Sequence, residues 1–270
     1  MNIDTKIVTE ILCNFIKEET EKIGVKNVVV GLSGGIDSAL SATLAVKALG
    51  KDRVFLYYLP YRTSSMQSKI DAMNVADFLG VDLTEVDITK FVEPYFAVNP
   101  EISKLRKGNV MARMRMIVLF DKSAEVGGIV LGTSNKTELL LGYGTWYGDL
   151  ASAINPIGDL YKTQVWKLSE YLQIPRQVIE KKPTADLWEG QTDESELGFS
   201  YQDVDRLLYK MVDERYSFEE LVNDGFDKEF IENISERIRK NQFKRQLPVI
   251  AKISLRTIEK DFRYSRDWGY

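Results

Sequence analysis

Val28-Val29-Val30-Gly31-Leu32-Ser33-Gly34-Gly35-Ile36-Asp37-Ser38 decides how this chain is read. Its three valines form an apolar, β-branched run, the pattern of a buried strand. The run turns through paired glycines into a helix-forming stretch, residues 39–49, ended by Gly50. Strand, glycine turn and helix together hold phosphate. Glycines let backbone N–H groups approach an anion, and the helix N-terminus adds free donors and its dipole. Ser33 and Ser38 can add hydroxyl donors. Asp37 is the informative member. A carboxylate here repels phosphate unless a cation lies between them, so Asp37 is expected to be a Mg²⁺ ligand. The Walker ending Gly-Lys-Ser/Thr is missing, and so is the spaced-glycine dinucleotide fingerprint.

The 270 residues allow one large or two small domains with a sizeable core. A net charge of −4 offers no broad basic field to recruit nucleic acid. The single cysteine, Cys13, excludes an intrachain disulfide framework and a Cys-rich metal site, and its apolar helical stripe assigns it to packing. Histidine is absent, which excludes a Ser-His-Asp triad, a Cys-His pair and His-ligated zinc. Proton transfer falls to carboxylates, Lys, Tyr or water. With no secretory apolar region and no bilayer-length apolar run, the expected compartment is the cytoplasm, with no membrane partner.

Ile3, Ile7, Val8, Ile11, Leu12, Phe15 and Ile16 repeat at helical spacing and predict an amphipathic first helix. Residues 54–59 predict a second strand ended by Pro60, 65–79 a helix closed by Gly80, and 82–88 a third strand. Residues 88–96 predict a short helix broken around Pro94 and Pro100, 109–125 a Met-rich helix, and 129–133 a fourth strand. This alternation implies right-handed crossovers and a parallel sheet covered on both faces. From Asp159 onward helices dominate, at 162–172, 201–216, 217–223 and 227–241, with a polar, acidic stretch at 183–198.

Residues 131–160 read LGTSNKTELLLGYGTWYGDLASAINPIGDL, a long polar loop with a short helical piece. Long ordered loops after a strand tend to carry function. Glu138 is its candidate second carboxylate for Mg²⁺, facing Asp37 from the other side.

Ser-Gly-Gly-Ile-Asp-Ser resembles the pyrophosphate-binding loop of the N-type ATP pyrophosphatases. These include NAD, GMP and asparagine synthetases and tRNA thiolation enzymes. Gly-Thr-Ser-Asn-Lys-Thr-Glu, Gly-Tyr-Gly-Thr-Trp-Tyr-Gly-Asp and Pro-Ile-Gly-Asp-Leu-Tyr-Lys-Thr-Gln-Val narrow the resemblance to ammonia-dependent NAD synthetases. Lys-Pro-Thr-Ala-Asp-Leu from Lys182 and Gln-Thr-Asp-Glu-Ser-Glu-Leu-Gly from Gln191 agree with it. The resemblance runs from about Val28 to Pro248 in the family's order.

The resemblance implies an α/β fold: a Rossmann-like, doubly wound parallel sheet of the adenine nucleotide alpha hydrolase-like kind with a helical C-terminal extension. It implies a single domain over 1–270, with a nucleotide-binding core at 1–158 and a helical part at 159–270. It implies a ligase of NAD biosynthesis in which deamido-NAD, ATP and ammonia give NAD, AMP and pyrophosphate through an acyl-adenylate. Gly31, Leu32, Ser33, Gly34, Gly35, Ile36, Asp37 and Ser38 would bind ATP, with Thr133, Lys162 and Thr184. Asp37 and Glu138 would hold Mg²⁺. Lys162 is expected to act on the α-phosphate. Arg113, Trp146, Phe243 and Lys244 are the expected deamido-NAD contacts, with Arg115 assigned to a solvated face. Asp149 and Glu196 are the candidates for placing or deprotonating ammonium, since a carboxylate attracts that cation and can take its proton.

Two positions depart from the family pattern. Phe243 stands where many relatives have His, and Trp146 where many have a basic residue; an indole stacks on a ring but cannot pair with phosphate. Glutamine-dependent relatives carry an added amidase domain with a nucleophilic Cys. Only one helix is expected before the phosphate loop, so free ammonia is the expected donor. A homodimer is implied, with the first helix and the Met-rich helix as contact surfaces. The competing readings are a GMP synthetase-like or tRNA-thiolating enzyme and a non-catalytic nucleotide-binding regulator. One Cys and negative charge weigh against thiolation, and the acid pair Asp37 and Glu138 weighs against a regulator.

Overall fold

A computed structural model of the chain describes residues 1–184 and 198–258. Its sheet has four parallel strands, β1 (Asn27–Gly31), β2 (Val54–Tyr58), β3 (Leu83–Glu85) and β4 (Gly128–Val130), in the order β3-β2-β1-β4. Helices α1 (Thr5–Ile23), α2 (Ile36–Leu49), α3 (Met66–Leu79), α4 (Thr89–Ala97) and α5 (Lys104–Glu125) precede or connect the strands. After β4 come α6 (Lys136–Leu141), α7 (Lys162–Tyr171), α8 (Arg176–Glu180), α9 (Tyr201–Leu208), α10 (Phe218–Asn223) and α11 (Lys228–Lys240).

The chain steps outward from β1 to β2 to β3 and then returns to the far side of β1 for β4. This reversal makes the sheet doubly wound, as expected, and opens a crevice at the carboxyl ends of β1 and β4. Register divides the core. Neighbouring strand residues point to opposite faces, so Val28 and Val30 join Leu40 and Leu44 of α2 and Val165 and Leu168 of α7. Val29 joins Met111 and Val118 of α5 on the other face. Three consecutive buried valines are what a strand covered on both sides requires. A third apolar cluster, with Tyr161, Tyr201, Leu207, Ile231 and Ile234, packs the C-terminal helices against the start of α7.

Helix boundaries follow their caps. Asp4 accepts from the N–H groups of Lys6 and Ile7 at the start of α1, and Gly24 ends it in the left-handed region at φ 78°. Ser65 and Gly80 bracket α3 in the same way. Cys13 is half-buried against the first core, where burial pushes its thiol up, consistent with packing.

Several expected boundaries move. The third strand covers only Leu83–Glu85; the Val86 and Ile88 N–H groups still reach the Tyr58 and Pro60 carbonyls, but Pro60 has no N–H to donate in return. The fourth ends at Val130; Leu131 instead bridges to Ile154. Helix α5 starts at Lys104, one turn before the expected Asn109, with Ser103 as its cap. Helix α4 continues through Pro94, held by buried Val92 and Phe96. The helix expected over 201–216 is α9 followed by a π-helical turn, Tyr209–Asp213. Among the described residues no helix is long and apolar enough to cross a membrane.

Candidate active site

A cavity of about 600 Å³ opens at the carboxyl ends of β1 and β4, where the fold reverses direction. The glycine turn after β1 and the Gly132-Thr133-Ser134 stretch after β4 both line it. The two segments singled out from the sequence therefore meet in one place.

Gly35 begins α2 without a side-chain cap, which leaves the first N–H groups of the helix for an anion. Gly34 has φ +78°, and a Cβ there would run into the Ser68 carbonyl oxygen of α3. The glycine thus serves backbone shape and close approach together. The serine hydroxyls build the turn. Ser38 Oγ donates to the Gly35 carbonyl (2.9 Å) and accepts from the Ser33 N–H (3.2 Å), while Ser33 Oγ accepts from the Gly35 N–H (3.2 Å).

The charged centre sits beside this turn. The Lys162 ammonium pairs with Asp37 Oδ2 and lies 3.7 Å from Glu138 Oε1, with its side chain only 2% exposed. Asn135, fully buried, holds both acids. Its Nδ2 donates to Asp37 Oδ1 (2.9 Å), and its Oδ1 accepts from the Glu138 N–H (2.9 Å). Glu138 Oε2 accepts in return from the Asn135 N–H (3.2 Å), completing a capping box on α6. Two carboxylates that both face the Lys162 ammonium, Asp37 on α2 and Glu138 on α6, are the oxygen donors that a small hard cation takes together with phosphate oxygens. The donor set of Asp37 and Glu138 therefore fits Mg²⁺.

The charged residues of the cavity are mostly cationic. Arg115, Lys181, Lys182, Arg237 and Lys244 join Lys162, against Asp37, Glu138 and Asp149. A chain of net charge −4 thus presents a locally positive cavity, as a polyphosphate ligand needs. Asp149 opens onto the cavity, and Oδ1 accepts from the Thr145 N–H (2.9 Å). Desolvation in this crowded pocket pushes its carboxyl up, while the Thr145 hydrogen bonds and the Arg115 charge pull it back. Lys244 Nζ donates to the carbonyls of Gly142 (2.7 Å) and Gly144 (3.0 Å), and burial pushes its ammonium down.

The other expected residues fall into three groups. Thr133 and Thr184 line the cavity, as do all of Gly31–Ser38 except Gly34. Arg113, Trp146 and Phe243 lie outside its lining. Arg113 is exposed and donates through Nε to the Trp146 carbonyl (3.3 Å). Trp146 stacks on Tyr147 with ring centroids 4.4 Å apart and meets the edge of Phe243 at 5.4 Å. Glu196 lies outside the described residues.

Arg115, Asn135, Lys181 and Asp205, besides the cavity cations Lys182 and Arg237, were missed or discounted in the sequence reading. Arg115, assigned to solvent, lines the cavity and donates to the Leu59 carbonyl (2.8 Å). It shares a helical stripe with Ala112, Met116 and Leu119, from which Arg113 points away. Asn135 was legible as the first residue of Asn-x-x-Glu, a capping-box signature. Lys181 pairs with buried Asp71 (2.8 Å) and donates to the Gly34 carbonyl (3.3 Å), fixing the glycine turn from behind. Asp205 reaches the starts of α6 and α7 from α9. No local signal announces Lys181 or Asp205.

The NAD synthase family model matches residues 8–248. The chain belongs to the NAD synthase family. The NH(3)-dependent NAD(+) synthetase of Trichlorobacter lovleyi is 59% identical over 269 residues, covering 100% of this chain and 98% of the relative. A solved NH3-dependent NAD synthetase from Campylobacter jejuni superposes with a TM-score of 0.81 at 36% identity, covering 93% of this chain and 100% of that one. A solved NMN synthetase from Francisella tularensis gives 0.83 at 31% identity, with the same coverage. Membership in the NAD synthase family places the glycine turn, Asp37, Glu138 and Lys162 in a nucleotide-dependent ligase.

Replacing Gly34 by Ala tests the turn. Left-handed backbone alone costs a non-glycine residue about 1–2 kcal/mol, and the Ser68 carbonyl adds a clash that only movement of the turn relieves. We expect ATP affinity, measured by calorimetry, to fall by more than tenfold. Wild-type affinity in Gly34→Ala would contradict the assignment.

Proposed function

We propose that this chain is an ammonia-dependent NAD synthetase working as one unit over residues 1–270: it joins ammonia to deamido-NAD with ATP and releases NAD, AMP and pyrophosphate. The observation that carries the reading is the convergence of Asp37, Glu138 and Lys162 on the glycine turn. Ammonia as donor is supported by the full-length match to an NH(3)-dependent relative.

A carboxylate is a poor acyl donor, so the reaction takes two steps. A nicotinate oxygen attacks the α-phosphorus of ATP, and the bond to the β-phosphate breaks. The leaving pyrophosphate stays on the N–H groups at the start of α2. Lys162 offsets charge on the α-phosphate oxygens, where its buried ammonium acts in a low dielectric. Asp37 and Glu138 would hold Mg²⁺, which when bound neutralises phosphate charge. Ammonia nitrogen then attacks the acyl carbon, the bond to AMP breaks, and a proton must leave the nitrogen. Asp149, an acid open to the cavity, attracts ammonium and takes that proton. Glu196 shares this role by its place in the sequence. Thr133 and Thr184 contact ATP, and Arg113, Trp146, Phe243 and Lys244 serve the dinucleotide, with the aromatic pair at the nicotinate or base side.

A cytoplasmic homodimer accompanies this reading. Exposed Ile7 and Ile11 on α1 and Ile117 and Phe120 on α5 support the contact surfaces expected there. Light scattering is expected to give twice the chain mass, and a single-chain mass at micromolar concentration would overturn the dimer.

The activity is tested with purified protein, ATP, Mg²⁺, deamido-NAD and ammonium, scored for NAD and pyrophosphate. We expect NAD to form, glutamine to be nearly silent as donor, and nicotinate mononucleotide to be a poorer acceptor than deamido-NAD. Lys162→Met should lower kcat on the order of 10²–10³-fold. No NAD from the wild type, or full activity in Lys162→Met, would refute the reading.

Asp149 predicts a pH dependence. Its carboxyl is held above the ordinary range, so it protonates, and loses its function as base, at a higher pH than a solvated Asp. The rate with ammonium should therefore fall on the acid side. Asp149→Asn should abolish that limb and lower the rate, whereas an unchanged limb would assign it to another group.

A further inference from the structure

Helix α9 lies outside the cavity lining, yet one of its carboxylates touches both helices that carry the reacting centre. Asp205 is fully buried. Its Oδ1 accepts from Thr137 Oγ1 (2.5 Å), and its Oδ2 accepts from the Thr163 N–H (2.7 Å). Thr137 Oγ1 in turn accepts from the Lys162 N–H (3.0 Å). Thr137 directly precedes Glu138, and Thr163 directly follows Lys162. One carboxylate and one hydroxyl therefore join the first turn of α6 to the first turn of α7, beside the two side chains that must face each other.

The π-helical turn after α9 repeats the arrangement one residue further out. Asp213 accepts from Lys136 Nζ (2.8 Å) and from the Tyr161 hydroxyl. Lys136 precedes Thr137, and Tyr161 precedes Lys162. Burying a carboxylate costs several kcal/mol before its bonds are counted, about the range known for buried ions. Apolar packing would join these helices without that cost, and Leu207, Leu208 and Val204 already supply such packing around Asp205. What a carboxylate adds is a fixed distance and direction between two backbone segments.

We propose that Asp205 is a positioning residue for adenylation: through Thr137 and Thr163 it sets the separation of Glu138 and Lys162 at the cavity wall. This rests on the reading of Asp37, Glu138 and Lys162 as the adenylating centre. A misplacement near 1 Å at a reacting centre costs about 10²-fold in rate, so a small loss of alignment is enough to be seen.

The test compares Asp205→Asn, Thr137→Val and Thr137→Ser. Asp205→Asn keeps the size but sets an NH₂ against one of its two donors. Thr137→Val keeps the shape and removes the hydroxyl, and Thr137→Ser keeps the hydroxyl. We expect the first two to lose kcat for NAD formation by about 10²-fold with KM for ATP nearly unchanged, and Thr137→Ser to retain wild-type kcat. Crystal structures of the wild type and of Thr137→Val supply a readout free of activity: the separation of Lys162 Nζ and Glu138 Oε1, 3.7 Å here, should change in the variant. If Asp205→Asn does not fold, the Thr137 pair decides. The proposal is overturned by an unchanged separation in Thr137→Val, by wild-type kcat in folded Asp205→Asn, or by Thr137→Ser as impaired as Thr137→Val. A wild type that makes no NAD would instead refute the functional reading, and the separation in the Thr137→Val crystals would still decide the positioning claim.

Discussion

A lysine ammonium buried between two carboxylates holds this structure's working parts together. Lys162 is 2% exposed at its side chain, pairs with Asp37 and faces Glu138. An unpaired ammonium at that depth would lose its charge or its place. The pairing therefore obliges three segments to approach: the turn after β1, the start of α6 and the start of α7. Removing the lysine would leave two acids facing each other without their shared ammonium, with Asn135 still donating to both. The same tension suits the chemistry. In the proposed reaction, incoming phosphate oxygens would compete with Asp37 for the ammonium and leave the two acids for a divalent cation.

The fold brings these segments together through its order of strands. The reversal between β1 and β4 puts two strand ends side by side, and each continues into a turn and a helix whose N-terminus faces the cavity. Helix α2 opens its uncapped N-terminus on that space, while the first turns of α6 and α7 border it with N–H groups engaged by Asn135, Thr137 and Asp205. The α2 dipole favours anions there, and Asp37, Glu138 and Lys162 add the charges around it. Lys181 with Asp71 secures the glycine turn from behind. Asn135 links the two acids from the side.

Much of this was legible in the residues. The valine run, the paired glycines and the alternation of strands with helices are local patterns, and local patterns set element type and sheet class. The loop over 131–160 announced itself by composition, and Glu138 by its place within it. What could not be read is long-range. Asp205 reaches Thr137 across 68 positions, and Lys181 reaches Gly34 across 147. Arg113 and Arg115 differ by two positions, which puts them on different faces of α5, and only the packed helix shows which face lines the cavity. Edge strand β3 is shorter than the alternation suggests, because Pro60 beside it has no N–H to donate although its carbonyl still accepts from Ile88.

In the proposed reaction Asp37, Glu138 and Lys162 act together on one nucleotide. The most direct measurement is a crystal structure with a non-hydrolysable ATP analogue and Mn²⁺, read by anomalous scattering. The expected result is a manganese peak bound by both Asp37 and Glu138, with the phosphates on the turn after β1 and Lys162 against them. A peak held by neither acid, or phosphates bound elsewhere in the cavity, would contradict it.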